Sequence, residues 1–287
     1  MDMELRHLRC LVAIVDTGSF TDAALELGTS QAAVSRNLAA LERLLGVRLL
    51  HRTSRDVAPT TAGVQVLARA RAVLAEADNL VREAGTGHSR LRLGHAWSAV
   101  GRHTAEFQRL WAASHSDVDL HLVRTNSPTG GLAEGLCDLA VVRAAFDERR
   151  FGSALVGWER RYCAMASDDP WARRRSIRLA EIAERHVLID RRTGTTTAEL
   201  WPERARPALE HVNDIDDWLA GIATGRSVGI TAESTVTQYR RDGIAFRLVG
   251  DAPRVPVRVL WRRHDPHPAT FAAVALLSEL YGERRRS

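Results

Sequence analysis

Residues 19–50 read SFTDAALELGTSQAAVSRNLAALERLLGVRLL, and this stretch decides the N-terminal fold. Ser19, with Asp22 three residues on, makes a capping-box-like helix start. A short helix follows through Ala23, Ala24 and Leu27, and Gly28 supplies the left-handed residue that ends it. Ser30 (or Thr29) caps the next helix, leaving Gln31, Ala32 and Ala33 in its first turn. On this second helix Val34, Leu38, Leu41 and Leu45 form one apolar stripe for a core, with Gln31, Ser35 and Arg36 off it. Gly46 ends the helix. Val47, Leu49 and Leu50 then alternate with Arg48 as the first strand of a small wing, whose tip is His51, Arg52, Thr53, Ser54 and Arg55. Two helices at a glycine turn also occur in bundles with no nucleic-acid role. Here the second helix presents small polar side chains on its free face, which suits the major groove of DNA.

The order Ser19-Phe20-Thr21, Ala23-Ala24, Ser30-Gln31-x-Ala33-Val34-Ser35-Arg36, Leu41-Glu42, Leu45-Gly46-Val47 and Leu49-x-x-Arg52 resembles the N-terminal domain of LysR-type transcriptional regulators. Pro59-Thr60-Thr61-Ala62-Gly63 is similar to the start of that family's linker helix. The resemblance is close over about the first 85 residues and one of layout beyond them. Ala32 stands where the family usually has proline and Leu50 where it usually has phenylalanine. The resemblance implies contacts to double-stranded promoter DNA from Phe20, Thr21, Ser30, Gln31, Ala32, Ser35, Arg36, Arg52, Thr53 and Arg55. It further implies a small-molecule effector, a homodimer or homotetramer, and RNA polymerase as a partner.

Composition agrees. The chain has 287 residues and a net charge of +5, all 40 basic residues being arginine. The arginines are spread along the whole chain, as GC-rich coding would spread them. Within the first 60 residues seven arginines meet seven acidic residues, so only a local face is basic: Arg36, Arg43, Arg48, Arg52 and Arg55 against Glu42 and Asp56. Such a face suffices for phosphate docking. The N-terminus lacks a signal-peptide core and no stretch is apolar enough to span a bilayer, so a cytoplasmic location is expected. Cys10, Cys137 and Cys163 are too few and scattered for a disulfide framework or zinc site, and Cys10 and Cys137 read as packed small hydrophobes.

The expected organisation is a winged helix–turn–helix domain at 1–60, a linker helix and hinge at 61–87, and an effector domain at 88–287. The fold class is α/β with an N-terminal all-α winged helix–turn–helix domain and a C-terminal two-lobed periplasmic-binding-protein-like α/β domain. Lobe I takes about 88–160 and 262–287, and lobe II about 161–261. A first helix runs from about Leu5 to Val15. On the linker helix, from Thr61 to Ala84, Leu67, Ala70, Leu74, Ala77, Val81 and Ala84 have the spacing of a two-stranded seam and are expected to meet a second copy. Alternating strands and helices follow, including short helices at Leu132–Leu136 and from about Ala198, so parallel-rich sheets covered on both faces are expected.

Ligands in such folds bind beyond the carboxyl ends of strands. That rule selects Trp97, Ser98, Thr125, Asn126, Arg143, Arg191, Thr193, Thr195 and Thr231, with Arg143, Arg191 and Arg192 as partners for an anionic effector. No HExxH, GxSxG, P-loop or GxGxxG motif stands in context, so neither an enzyme nor a bound cofactor or metal is expected. The alternative is a two-lobed small-molecule-binding module whose N-terminal domain meets protein rather than DNA.

Overall fold

The computed structural model describes residues 3–52, 57–86, 89–192 and 194–282. Thr53, Arg55 and Thr193 lie outside the described residues, as does the side chain of Arg52. The chain forms two compact units, residues 1–90 with 133–136, and residues 91–132 with 137–287.

In the first unit, helix α1 (Leu5–Thr17) buries Leu8, Leu11 and Ile14. Helix α2 (Phe20–Glu26) starts where the Ser19 hydroxyl accepts from the Thr21 and Asp22 amides. Gly28 takes φ 62°, a backbone that favours glycine, in the turn that follows. Helix α3 (Gln31–Leu45) starts at Ser30, whose Oγ accepts from the Ala33 amide at 3.2 Å. Val34, Leu38 and Leu41 are fully buried among α1 and α2 residues. Leu45 departs from the expected stripe and is exposed. The wing begins a few residues later than expected, at Leu50 rather than Val47, with β1 (Leu50–Arg52) paired antiparallel to β2 (Val57–Pro59). Glu42 holds it, accepting from the Leu49 amide at 2.8 Å.

Helix α4 (Thr61–Thr86) starts against the wing: Thr60 donates to the Arg48 carbonyl at 2.8 Å and accepts from the Gly63 amide at 2.9 Å. A Cβ on Gly63 would stand 1.9 Å from the Leu49 carbonyl oxygen, so only glycine fits. The expected seam is corrected in its first half. Leu67 and Ala70 are buried in the core with α1, and Leu74 packs partly against it, because α1 supplies an apolar face within the same chain. Ala77 is half-buried, and Val81 is exposed. The apolar stripe left uncovered runs through Val73, Leu80 and Ala84 with half-buried Ala77 among them, again spaced four, three and four residues apart.

The second unit holds two sheets. Strands β3 (Ser89–His95), β4 (Val118–Arg124), β5 (Leu139–Val142) and β6 (Phe151–Glu159) belong to the first, with helix α5 (Thr104–Ser114) following β3. The chain then builds β7 (Arg161–Ala166), β8 (Ser176–Ile177), α6 (Leu179–Ile182), β9 (Val187–Asp190), β10 (Leu209–Val212), α7 (Ile215–Ala223), β11 (Val228–Ala232), α8 (Glu233–Gln238) and β12 (Ile244–Val249). It returns through β13 (Val255–Arg262) and ends in α9 (Thr270–Gly282). The strand orders are β4-β3-β5-β13-β6 and β10-β9-β11-β7-β12-β8.

Pairs β3/β5, β9/β10, β9/β11 and β8/β12 are parallel, whereas β7 and β13 pair antiparallel to both neighbours in their sheets. The crossings between sheets therefore fall at Arg160 and before Val255. The expected return near Trp261 is thus corrected: all of β13 belongs to lobe I, where Val257 and Val259 fill the core and Val255 is buried. The helix expected at Leu132–Leu136 is a run of turns, bracketed by left-handed glycines at 130, 131 and 135. The one expected from Ala198 is a single 3-10 turn.

Candidate functional site

Two places bring the selected residues together, one in each unit. In the first, the N-terminal turn of α3 exposes Gln31, Ala32 and Arg36, with Ser35 half-buried beside them. Ser30 and Thr21 are exposed at the starts of α3 and α2. Arg43 and Arg48 extend the exposed cationic surface toward the wing. This exposure is a direct consequence of helical phase, since burying Val34, Leu38 and Leu41 turns positions 31, 32, 35 and 36 outward. Phe20 differs from the others: it packs partly against the core and so seats α2.

In the second unit a cleft lies beyond the strand ends of both sheets, as the fold rule requires. Trp97 and Ser98 follow β3, Arg143 follows β5, Thr195 follows β9, and Thr231 ends β11, all of them on the cleft wall. Its cavity is about 40 Å³, room for a few waters. Ser98 and Thr231 are buried, and the Thr231 hydroxyl donates to Thr235 Oγ1 at 2.8 Å. Trp218, which the sequence reading missed, closes one side, its ring centroid 5.2 Å from that of Trp97. The Trp218 indole donates to the Leu188 carbonyl and Tyr239 donates to that of Trp97, so both rings are positioned. The Trp97 indole N–H is buried without a partner among the described residues.

The expected cations are corrected. Arg143 lines the cleft but is engaged by Glu159, donating to its two carboxylate oxygens at 3.0 and 2.8 Å and to the Ser98 and Ala99 carbonyls at 2.9 and 2.8 Å. Glu159 also accepts from Tyr281 at 2.8 Å and the Ser234 amide at 3.2 Å. Burial alone would lower the Arg143 pKa, but Glu159 outweighs it and holds the guanidinium above its ordinary value. Burial likewise opposes ionisation of Glu159, and Arg143 overrides it and keeps the carboxyl below its usual range. Arg191 and Arg192 are exposed and are not on the cleft wall, because their loop turns them to the surface.

Thr125 and Asn126 line a separate depression with Trp97, Arg124, Asp214 and Ile215, and Asn126 donates to the Asn213 carbonyl at 2.7 Å. A cation that sequence reasoning passed over lies behind the cleft wall at Thr195. Arg161 is 8 % exposed and is bonded to the Pro253 carbonyl at 2.9 Å and that of Thr195 at 2.7 Å, and among the described residues it pairs with no carboxylate. Burial lowers its pKa to about 10. One arginine among 40 carries no signal that would have singled it out.

Cys10, Cys137 and Cys163 are buried free thiols. Burial pushes Cys137 and Cys163 up to about 12, which keeps them protonated and unreactive. Among the described residues no helix is long and apolar enough to cross a membrane.

Comparison with known proteins places this geometry. Residues 5–64 match the family model for bacterial regulatory helix-turn-helix proteins of the lysR family, and residues 84–281 match that for the LysR substrate binding domain. The small neutral protease regulatory protein of Streptomyces coelicolor is 31 % identical over 100 % of this chain and 89 % of its own. YnfL, an uncharacterized HTH-type transcriptional regulator of Escherichia coli, is 34 % identical over 68 % of each chain. Among solved structures, CbnR, a LysR family transcriptional regulator, aligns with TM-score 0.71 at 22 % identity over 99 % of this chain and all of its own. CbnR complexed with its target DNA aligns with TM-score 0.69 at 23 % identity, over 97 % of this chain and all of its own. The exposed N-terminal turn of α3, the two-lobed cleft and these matches converge, and the chain belongs to the LysR family of DNA-binding transcriptional regulators.

Proposed function

We propose that Gln31, Ser35 and Ala32 meet base edges from α3, that Ser30 and Thr21 dock phosphates, and that Arg36 meets a phosphate or a guanine edge. Arg52, Thr53 and Arg55 take backbone or minor-groove contacts from the wing. The observation that carries this reading is the helical phase of α3, which buries Val34, Leu38 and Leu41 and leaves Gln31 and Arg36 in the open. A bidentate pair to a base contributes about 1–3 kcal/mol of discrimination. The test selects binding sites from random DNA with the wild-type protein and titrates Gln31→Ala on a selected site and on unrelated duplex at rising salt. Discrimination should fall roughly tenfold while the salt slope, set by phosphate contacts, stays put. Equal weakening on both duplexes would contradict the assignment.

The remaining uncovered stripe of α4, Val73, Ala77, Leu80 and Ala84 with Val81 at its margin, supports a homodimer, which presents two reading helices to two half-sites. Assembly to a tetramer, contact with RNA polymerase and a cytoplasmic location complete the reading.

The effector enters the Trp97–Trp218 cleft and meets Ser98, Thr195 and Thr231. A cavity of about 40 Å³ describes a closed cleft, so a ligand of ordinary size binds by parting the lobes at the two crossings. For an anionic effector the nearest positive charge not already neutralised is Arg161, which stands behind the cleft wall and donates to the Thr195 carbonyl there, since Arg143 is paired with Glu159. Such a ligand alters DNA occupancy only through unequal affinity for the open and closed states.

A further inference from the structure

A second cavity, of about 550 Å³, opens where the chain crosses between the two sheets. Its volume is in the range that holds a small molecule, and none of its residues is on the wall of the closed cleft. Arg160 lies on the first crossing and Arg254 just before β13 on the second; Arg102 comes from the turn before α5, and Glu233 opens α8. Three guanidinium groups thus line a cavity that holds one carboxylate, and two of them reach it. Arg102 Nη1 stands 3.1 Å and Arg160 Nη2 3.6 Å from the same Glu233 oxygen, while Arg254 is exposed. The Arg160 Nε–H is buried with no hydrogen-bond partner among the described residues.

Against this surplus of positive charge the edge strand β6 presents Leu155 and Trp158, which are 43 % and 47 % exposed. Like charges converging in a sheltered recess repel one another, and an anion bound among them offsets that repulsion. Arginine offers a flat fork that matches the oxygens of a carboxylate or phosphate. A bare inorganic anion would leave Leu155 and Trp158 wet, whereas a ring laid on Trp158 adds stacking and apolar burial.

We infer that this cavity is a second small-molecule site, separate from the cleft, for an oxyanion carried on a flat apolar body. Arg160 and Arg254 take the charge and Trp158 takes the ring. The two arginines sit on the two crossing segments, so a ligand held by both ties the segments about which the lobes hinge.

The probe is 2-naphthoate, titrated calorimetrically into the full chain beside its neutral counterpart 2-naphthamide and inorganic phosphate. Naphthoate should bind once per chain, at least tenfold more tightly than either control. Arg254→Gln and Trp158→Ala, both at exposed positions, should each weaken it tenfold or more. Ser98→Val, in the cleft, should leave it unchanged, which makes the result independent of whether the cleft takes the effector. Tryptophan-detected melting confirms that each variant is folded. Absence of naphthoate binding below millimolar concentration would overturn the inference. So would equal affinity for acid and amide, phosphate binding as tight as naphthoate, indifference to Arg254→Gln, or loss of binding in Ser98→Val.

Discussion

Glu159→Gln should destabilise the ligand-binding unit far more than its size suggests. The substitution keeps the shape of the side chain and removes one charge. Glu159 is 4 % exposed, the Arg143 side chain is 9 % exposed, and the two are joined at 2.8 and 3.0 Å. Desolvating both ions is costly, and their mutual attraction with the bonds from Tyr281 and the Ser234 amide offsets that cost. Neutralising one partner strands the other, with a loss of about 3–5 kcal/mol. In a unit of this size that corresponds to a fall in melting temperature of roughly 6–20 °C.

Arg143→Met should cost a similar amount for the same reason, and the double variant should cost well below the sum, because nothing charged is left behind. All seven tryptophans, Trp97, Trp111, Trp158, Trp171, Trp201, Trp218 and Trp261, lie in the second unit, so indole emission during urea or thermal unfolding follows that unit alone. The variant also removes a pH dependence. Although burial opposes it, Arg143 keeps the Glu159 carboxyl ionised below its usual range, so its contribution is present above the unfolded pKa and is lost on acidification through the folded one. Single losses under about 1 kcal/mol, or a double variant equal to the sum, would refute the account of a coupled buried pair.

Three further outcomes follow from the geometry. Gly63→Ala drives a Cβ to within 1.9 Å of the Leu49 carbonyl oxygen, so the first unit should lose about 1–3 kcal/mol by helix-detected melting, and an unchanged midpoint would show that α4 and the wing can part freely. Leu80→Asp, on the uncovered stripe of α4, should raise the dimer dissociation constant at least tenfold by sedimentation while leaving the fold intact, whereas Leu67→Asp, in the core, should unfold the unit; a dimer unaffected by Leu80→Asp would remove the stripe from the interface. His95 is held neutral, its pKa lowered to about 4 by burial first and then by Arg143 and Arg124. The unfolded chain takes up that proton near pH 6.5, so stability is full above about 6.5 and falls by about 3 kcal/mol toward pH 4. His95→Asn should flatten this window, and an unchanged slope would contradict the assignment.

Much of the first unit was legible along the chain because its determinants are local. Ser19 and Ser30 cap the helices they precede, Gly28 turns between them, and the spacing of Val34, Leu38 and Leu41 fixes which face of α3 stays free. Short-range order also marked β5, β9 and β11, whose short, mostly apolar runs suit strands buried on both faces. What the sequence left open concerned partners distant along the chain. The spacing of Leu67 and Leu74 points to a second copy, and only the packing of α1 against α4 assigns them inward and leaves Val73 and Leu80 uncovered.

Strand β6, broken by Gly152 and Gly157 and carrying Trp158, lacks a clean alternation and was missed; its pairing with β13, 96 to 111 positions away, makes it a strand. The fate of each arginine was likewise undecidable in a chain with 40 of them. Whether a guanidinium is neutralised like Arg143, stranded like Arg161 or turned to solvent like Arg191 depends on which carboxylate the fold brings within a few ångströms, and no window of sequence contains both members of those pairs.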